Sequence, residues 1–253
     1  MRIVSLVPSW TETLIAAGAE VVGRTRFCIH PADRVPAIPA IGGTKDIDWK
    51  AVTALKPDLL LLDREENLRR FSEESAFPVH TTHIQGIADL EPELRALAEK
   101  TGLAKLGEFA DRWREVAANP HPACRAGASP AELPGILETW RAPGRKCGKI
   151  VYIIWKNPWM AAGRATFVGS MLAHFGWGEA ILPSTTEKYP QLDFASLDPE
   201  RSFLLFSSEP FPFARYKEEV LALGFAAGLI DGEAYSWFGL RSLEFLERNR
   251  PIF

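Results

Sequence analysis

The 253-residue chain is poor in cysteine, in unbroken apolar runs, in excess positive charge and in every common catalytic motif. Cys28, Cys124 and Cys147 are odd in number and scattered, so no disulfide framework is expected and a reducing compartment suits the chain. The longest apolar runs, 59–62 and 150–155, are strand-sized, which excludes insertion into a membrane as a hydrophobic helix. With 29 basic against 32 acidic residues the formal net charge is −3, leaving no basic excess to displace counterions from a nucleic acid. No GxxxxGK[ST], GxGxxG before a helix, GxSxG, HExxH or CxxC occurs. The sequence therefore offers no positive sign of catalysis. Disorder is excluded as well, because 47% of the residues are apolar and charge is nearly balanced. Residues 2–6 already read as a strand with no apolar h-region before them, so a cytoplasmic protein is expected; a periplasmic one is the alternative if a signal peptide preceded residue 1.

Glycine and proline punctuate an alternation of short strands and amphipathic helices, the pattern of an α/β fold. Strands are expected at 2–7, 21–22, 58–62 and 78–82. A capping box at Ser9 and Glu12 is expected to open a helix that Gly18 ends. Asp48 caps a helix reaching about Leu55, and Pro57 stops it. Another helix is expected over 67–75. Leu90, Leu94 and Leu97 mark a helix before Gly102. From there Leu103, Leu106, Phe109, Ala110, Trp113, Val116 and Ala117 repeat at helical spacing through 103–118. That helix spans roughly 24 Å at about 1.5 Å per residue, enough to join two lobes. Residues 119–148 read as a proline- and glycine-rich linker or excursion, with a short helix over 131–139. A second α/β unit echoes the first: 149–155 corresponds to the opening strand, 167–175 to the first helix and 202–206 to the 58–62 strand. The expected organisation is an N-terminal lobe 1–86, connecting helices 87–118, the excursion 119–148 and a C-terminal lobe 149–253. Ligands in such folds lie outside the strand ends.

Aromatic residues gather in the loops after those ends: Trp10 follows the first strand, Trp155 and Trp159 follow the 149–155 strand, and Tyr235, Trp237 and Phe238 lie near the last one. They suit a planar or bulky ligand, or else close the cores. Cys28 and His30, one residue apart, can face one side of an extended loop and ligate a soft or borderline metal. The alternative is a half-buried cysteine beside a surface histidine. His80 and His83 are expected on opposite faces, and His121 and His174 to be structural or solvated. Glu65, Glu66, Asn67 and Glu209 sit at matched strand ends, where they can meet ligand amides or cap helices. Arg241, in a helix's first turn, is expected to face a partner or ligand group rather than the dipole.

RIVSLVPSWTETLIAAG, the GGTKD loop, ALKPDLLLL and REEN closely resemble the first lobe of the helical-backbone metal receptors, the class III periplasmic binding proteins. IWKNPWM, SEPFPF and YSWFGLRS look like that family's cobalamin-binding branch, in particular members without a signal peptide. The resemblance implies two doubly wound, Rossmann-like lobes joined by a long backbone helix, with the ligand cleft between them. It implies cobalamin, or else haem or a siderophore, as ligand, with no cofactor required and no catalysis. By position the ligand-binding residues are Pro8, Ser9, Trp10, Cys28, His30, Thr44, Lys45, Glu66, Trp155, Trp159, Glu209, Trp237 and Phe238. Transport members present a docking glutamate on each lobe to an ABC permease; Arg69 and Gly239 stand at these positions here, which argues against docking. A small-molecule chelate is then the expected partner, with the chain a cytosolic carrier or sensor. The alternatives are the binding component of a cobalamin or iron-complex importer and a corrinoid-processing accessory enzyme.

Overall fold

A computed structural model describes residues 1–124 and 128–251. Two compact units emerge: Met1–Ile84 with Ala88–Glu115 and Trp237–Glu244 in the first, Gln85–Ile87 with Val116–Ser236 and the chain from Phe245 in the second. The boundary after Glu115 falls inside a helix rather than in a linker.

The first unit is built on a parallel sheet of β1 (Arg2–Ser5), β2 (Glu20–Arg24), β3 (Leu59–Asp63) and β4 (Val79–Thr82), in the order β2-β1-β3-β4. Every residue of β3 is buried, as expected for an apolar strand covered on both faces. Helices α1 (Pro8–Ala16), α2 (Trp49–Leu55), α3 (Arg70–Glu74), α4 (Leu90–Thr101) and most of α5 (Ala104–Ala118) surround it. Val4, Leu6, Ile41, Val52, Leu60, Leu62 and Phe71 form one core. Asp48 caps α2 by accepting the Ala51 N–H at 3.0 Å, as expected. Helix α1 departs from expectation. Pro8 occupies its first turn, where a missing N–H costs nothing, so Val7 is the N-cap and Ser9 already lies inside the helix. Glu12, released from any capping box, forms a bidentate pair with Arg241 at 2.7 and 2.9 Å. Helix α3 is shorter than the expected 67–75 because Asn67 is held as a loop anchor: its amide donates to the carbonyls of Leu6 and Thr44, and its oxygen accepts the Asp63 N–H.

Gly102, with φ of 74°, ends α4 in the left-handed conformation, and α5 starts two residues later. Leu106, Phe109, Ala110, Trp113 and Val116 are buried as their spacing predicts, while Leu103 is half-buried just before the helix and Ala117 is exposed near its end. Trp113 donates its indole N–H to the carbonyl of Gly239 at 3.2 Å.

The second unit contains β5 (Ile136–Arg141), β6 (Lys149–Trp155), β7 (Met160–Ala161), α6 (Phe167–His174), β8 (Ser202–Ser207), α7 (Lys217–Ala222), β9 (Ala226–Ile230) and α8 (Gly232–Ser236). Helix α9 (Leu240–Arg248) begins among first-unit residues and ends among those of the second. The sheet order is β5-β9-β8-β6-β7, with β6, β8 and β9 parallel and the two outer strands antiparallel. Val151, Ile153, Leu204, Phe206, Phe213 and Phe225 share its core. Strand β5 corrects the expected helix over 131–139. Gly135, at φ of 84°, breaks the chain, and the β-branched and aromatic ILETWR then pairs with β9. The stretch 119–148 is thus partly sheet rather than excursion; its residues 125–127 lie outside the described residues.

His121 and His174 are structural, as expected. Their rings lie 6.1 Å apart in the second unit, and His121 Nε2 meets the carbonyl of Asn249 at 2.7 Å. Burial, aided by the neighbouring His121, pushes the His174 imidazole down to about 4. A depressed histidine keeps its stabilising contribution above the unfolded-state value near 6.5 and loses it as pH falls through about 4. Urea midpoints should therefore fall between pH 6.5 and 4 by more in the natural chain than in His174→Asn, and parallel curves would remove His174 from the acid response.

Candidate ligand-binding site

In the first unit, the loops at the carboxyl ends of the parallel strands carry most of the candidate residues. Pro8 is half-buried. Trp10 is wholly buried. Its indole N–H donates to Thr82 Oγ1 at 3.0 Å, and its ring meets Phe238 edge-on at 5.4 Å. Thr82 in turn donates to Asp63 Oδ2 at 2.7 Å, while Asp63 Oδ1 accepts the N–H groups of Glu65 and Glu66 at 2.9 and 3.4 Å. Burial raises the Asp63 carboxyl above its ordinary range against the opposing pull of these donors. Cys28 is also wholly buried, its sulfur 3.1 Å from Thr11 Oγ1 and 3.2 Å from Thr25 Oγ1. Burial pushes its thiol up, so the thiolate needed for metal ligation is disfavoured.

The neighbours of Cys28 behave differently. Phe27 and Ile29 are 49% and 51% exposed. His30 is half-buried, with its ring edge-on to Trp237 at 5.2 Å. Trp237 is buried, and the Arg241 guanidinium lies 5.4 Å from its ring centre. The GGTKD loop is closed by Gly43 N–H to Asp46 O at 2.7 Å and by a bidentate Arg26–Asp46 pair at 2.9 Å. Gly42 is required there, since at φ of 126° an added Cβ would stand 2.3 Å from the Asp46 carbonyl. Thr44 is half-buried, and exposed Lys45 donates to the Glu65 carbonyl at 2.9 Å. Glu66 is half-buried beside them. His80 pairs with Glu93 and His83 faces Glu65, so the two histidines have separate partners.

In the second unit, Trp155 ends β6 with 43% exposure, its ring edge-on to Phe211 at 5.3 Å. Lys156 pairs with Glu219 at 2.6 Å and lies 4.4 Å from the centre of the Tyr216 ring. Trp159 packs on the core instead, stacked on Phe213 at 6.1 Å and 11°. Half-buried Glu209 reaches α8, where Ser236 Oγ donates to its carboxylate at 3.0 Å, and its carbonyl accepts from Ser207 Oγ at 2.6 Å. Among the described residues, no group of three or more His, Cys, Asp or Glu is placed to hold a metal ion.

No protein-family model matches the chain, and no curated protein matches it. Solved structures do. Vitamin B12 binding protein BtuF of Vibrio cholerae aligns over 98% of this chain and 94% of its own at TM-score 0.65 and 14% identity. IsdE of S. aureus, solved with haem, aligns over 98% and 96% at TM-score 0.72 and 13% identity. A periplasmic haem-binding protein from Pseudomonas aeruginosa aligns over 97% and 89% at TM-score 0.67 and 20% identity. The chain has the class III periplasmic-binding-protein fold.

Within that fold, the thirteen residues implied by the resemblance divide by exposure. Ser9, Trp10 and Cys28 are buried, so they support the loops rather than present a surface. Trp159 and Glu209 are half-buried, the first packed against its unit's core and the second hydrogen-bonded to Ser236, and both keep some accessible surface. Pro8, His30, Thr44, Lys45, Glu66 and Trp155 keep accessible surface, while Trp237 and Phe238 are nearly covered. Phe27 and Ile29 were missed. They lie in the same RFCIHP segment as Cys28, Phe27 in the turn closed by the Cys28 N–H to the Thr25 carbonyl at 3.1 Å and Ile29 directly after it. Gly239 lies in the first unit, where at φ of 97° an added Cβ would stand 2.3 Å from Thr13 Oγ1. Arg241 faces Glu12 and Trp237 of its own unit.

Proposed function

We propose that this chain binds a bulky metal chelate with broad apolar faces, cobalamin first, and releases it unaltered as a cytosolic carrier, store or sensor. The observation that carries the reading is the exposed apolar surface at the loops of each unit: Phe27 and Ile29 after β2, and Trp155 at the end of β6. Large apolar side chains held in water are costly unless something covers them, and solved proteins of this fold bind vitamin B12 and haem. Lys45 and Glu66 are the polar groups able to meet peripheral amides or carboxylates. Haem is the second ligand, favoured by His30, whose half-exposed imidazole adjoins Ile29 and is of the type that ligates haem iron.

A buried, protonated Cys28 supports a binding role over corrinoid processing, which needs a reactive metal-directed group. Arg69, 92% exposed and paired only along its own helix with Glu73, supports a role apart from a permease with a basic docking pocket. Three cysteines that form no disulfide support the cytosol. Cell fractionation of the natural gene product tests that part, and recovery in the periplasm would make the chain an importer's receptor instead.

Binding is tested by thermal denaturation and visible spectra with hydroxocobalamin, haemin and a ferric siderophore. A ligand at 100 times its Kd should stabilise by about 2.7 kcal/mol. Phe27→Ala and Trp155→Ala should each weaken binding by about 1–3 kcal/mol while leaving the unliganded melting temperature nearly unchanged. Affinity unchanged in both variants would remove these surfaces from the site. No response to any of the three ligands would sink the chelate reading. A haemin Soret shift lost in His30→Ala would select haem over cobalamin.

A further inference from the structure

A concave site lies wholly within the first unit, on the side of the sheet that carries α3. It is a cavity of about 600 Å³ bordered by the carboxyl ends of β3 and β4, and its size is that of a small-molecule pocket. Leu62 and Leu68 supply apolar lining, continuous with the core around Phe71. Arg64, Asn67, Arg69, Ser72 and Thr81 supply polar lining, with the Asn67 amide already bonded to Leu6, Thr44 and Asp63. The Arg64 guanidinium makes no hydrogen bond or ion pair with any described residue, although its backbone N–H is tied to the Thr82 carbonyl at 3.0 Å. Arg69 is engaged only by Glu73 at 2.8 Å, an exposed pair four residues apart on one helix. Such pairs contribute little and exchange readily for a better-placed anion. The one acidic residue lining the cavity is Asp63, and its oxygens already accept the Thr82 hydroxyl and the N–H groups of Glu65 and Glu66. It therefore does not compete for the arginines.

We propose that this cavity binds a small organic anion, a carboxylate or phosphate monoester on a compact apolar body, with Arg64 as the principal contact and Arg69 as the second. Guanidinium groups meet carboxylate and phosphate oxygens with paired N–H donors, and the leucines suit an apolar body behind the charged group. The site is independent of the chelate reading, since it uses neither Phe27, Ile29 nor Trp155.

Isothermal titration of the full chain with benzoate, phenyl phosphate, inorganic phosphate and benzylamine tests it. The expected result is saturable one-to-one binding of benzoate or phenyl phosphate, tighter than inorganic phosphate, and none of benzylamine. The tighter of the two organic anions identifies the headgroup. Arg64→Gln should weaken that binding about tenfold or more. Arg34→Gln removes an equally exposed charge elsewhere in the unit and should leave affinity unchanged. The absence of saturable anion binding would overturn the proposal, as would equal weakening by both substitutions. Binding of inorganic phosphate as tight as phenyl phosphate would overturn the role of the apolar lining. Arg64 has an exposed side chain, so melting temperatures should confirm that both variants fold alike.

Discussion

Trp10→Ala should destabilise the chain by about 3–5 kcal/mol, the range for truncating a fully buried aromatic side chain. The loss has two parts. Removing the ring opens a large void against Phe238, and removing the indole N–H takes a donor away from Thr82. Trp10→Phe separates them: it keeps most of the packing and should cost about 1 kcal/mol for the hydrogen bond. Urea unfolding at pH 7 measures both. The position in the sequence, just after the first strand, suggests a ligand-facing tryptophan, whereas the structure makes it a support beneath the loops. A small stability change in Trp10→Ala accompanied by loss of ligand binding would restore the first reading.

Asp63→Ala is the second large effect, expected at about 3 kcal/mol or more. The carboxylate is the common acceptor for the Thr82 hydroxyl and for the N–H groups of Glu65 and Glu66, all at the buried end of β3. Each donor left unsatisfied costs about 1–3 kcal/mol, partly recovered if water reaches the exposed end of the loop. Asp63→Asn keeps one acceptor oxygen but turns an amide N–H₂ toward other donors, so an intermediate loss is expected. Because Trp10, Thr82 and Asp63 form one chain of hydrogen bonds, the losses in Trp10→Phe and Asp63→Ala should not add. Simple additivity in the double variant would show that the three residues act separately.

Local signals carried much of this architecture in the sequence itself. The all-apolar 59–62 run, the Asp48 cap, Gly102 and the periodic face of α5 each depend on neighbours a few residues away, and each appears in the structure where those signals put it. Less readable were features decided by distant partners. Glu12 looked like half of a capping box, but its partner Arg241 is 229 residues away. Asn67 looked like the start of a helix, but it holds the carbonyl of Leu6 across 61 residues. The same holds for the site. Tryptophans are equally conspicuous at positions 10, 155 and 159, yet only contacts made after folding separate exposed Trp155 from buried Trp10 and core-packed Trp159. Strand β5 was hidden differently. Its ILETWR signal was present, but the surrounding prolines and glycines made the whole stretch read as irregular.

The outer strands of the second sheet bear on self-association. Strand β7 has only two residues, too few to template an added chain. Strand β5, at the other edge, has six, with Leu137 57% exposed among them. Its neighbour Glu138 is held by Lys217, and Arg141 is exposed at the strand's end, so two charged residues follow the bare leucine along the edge. Charged residues on an edge strand resist edge-to-edge growth into aggregates. Neutralising both Glu138 and Arg141 would leave β5 as the edge most open to fibre-like stacking.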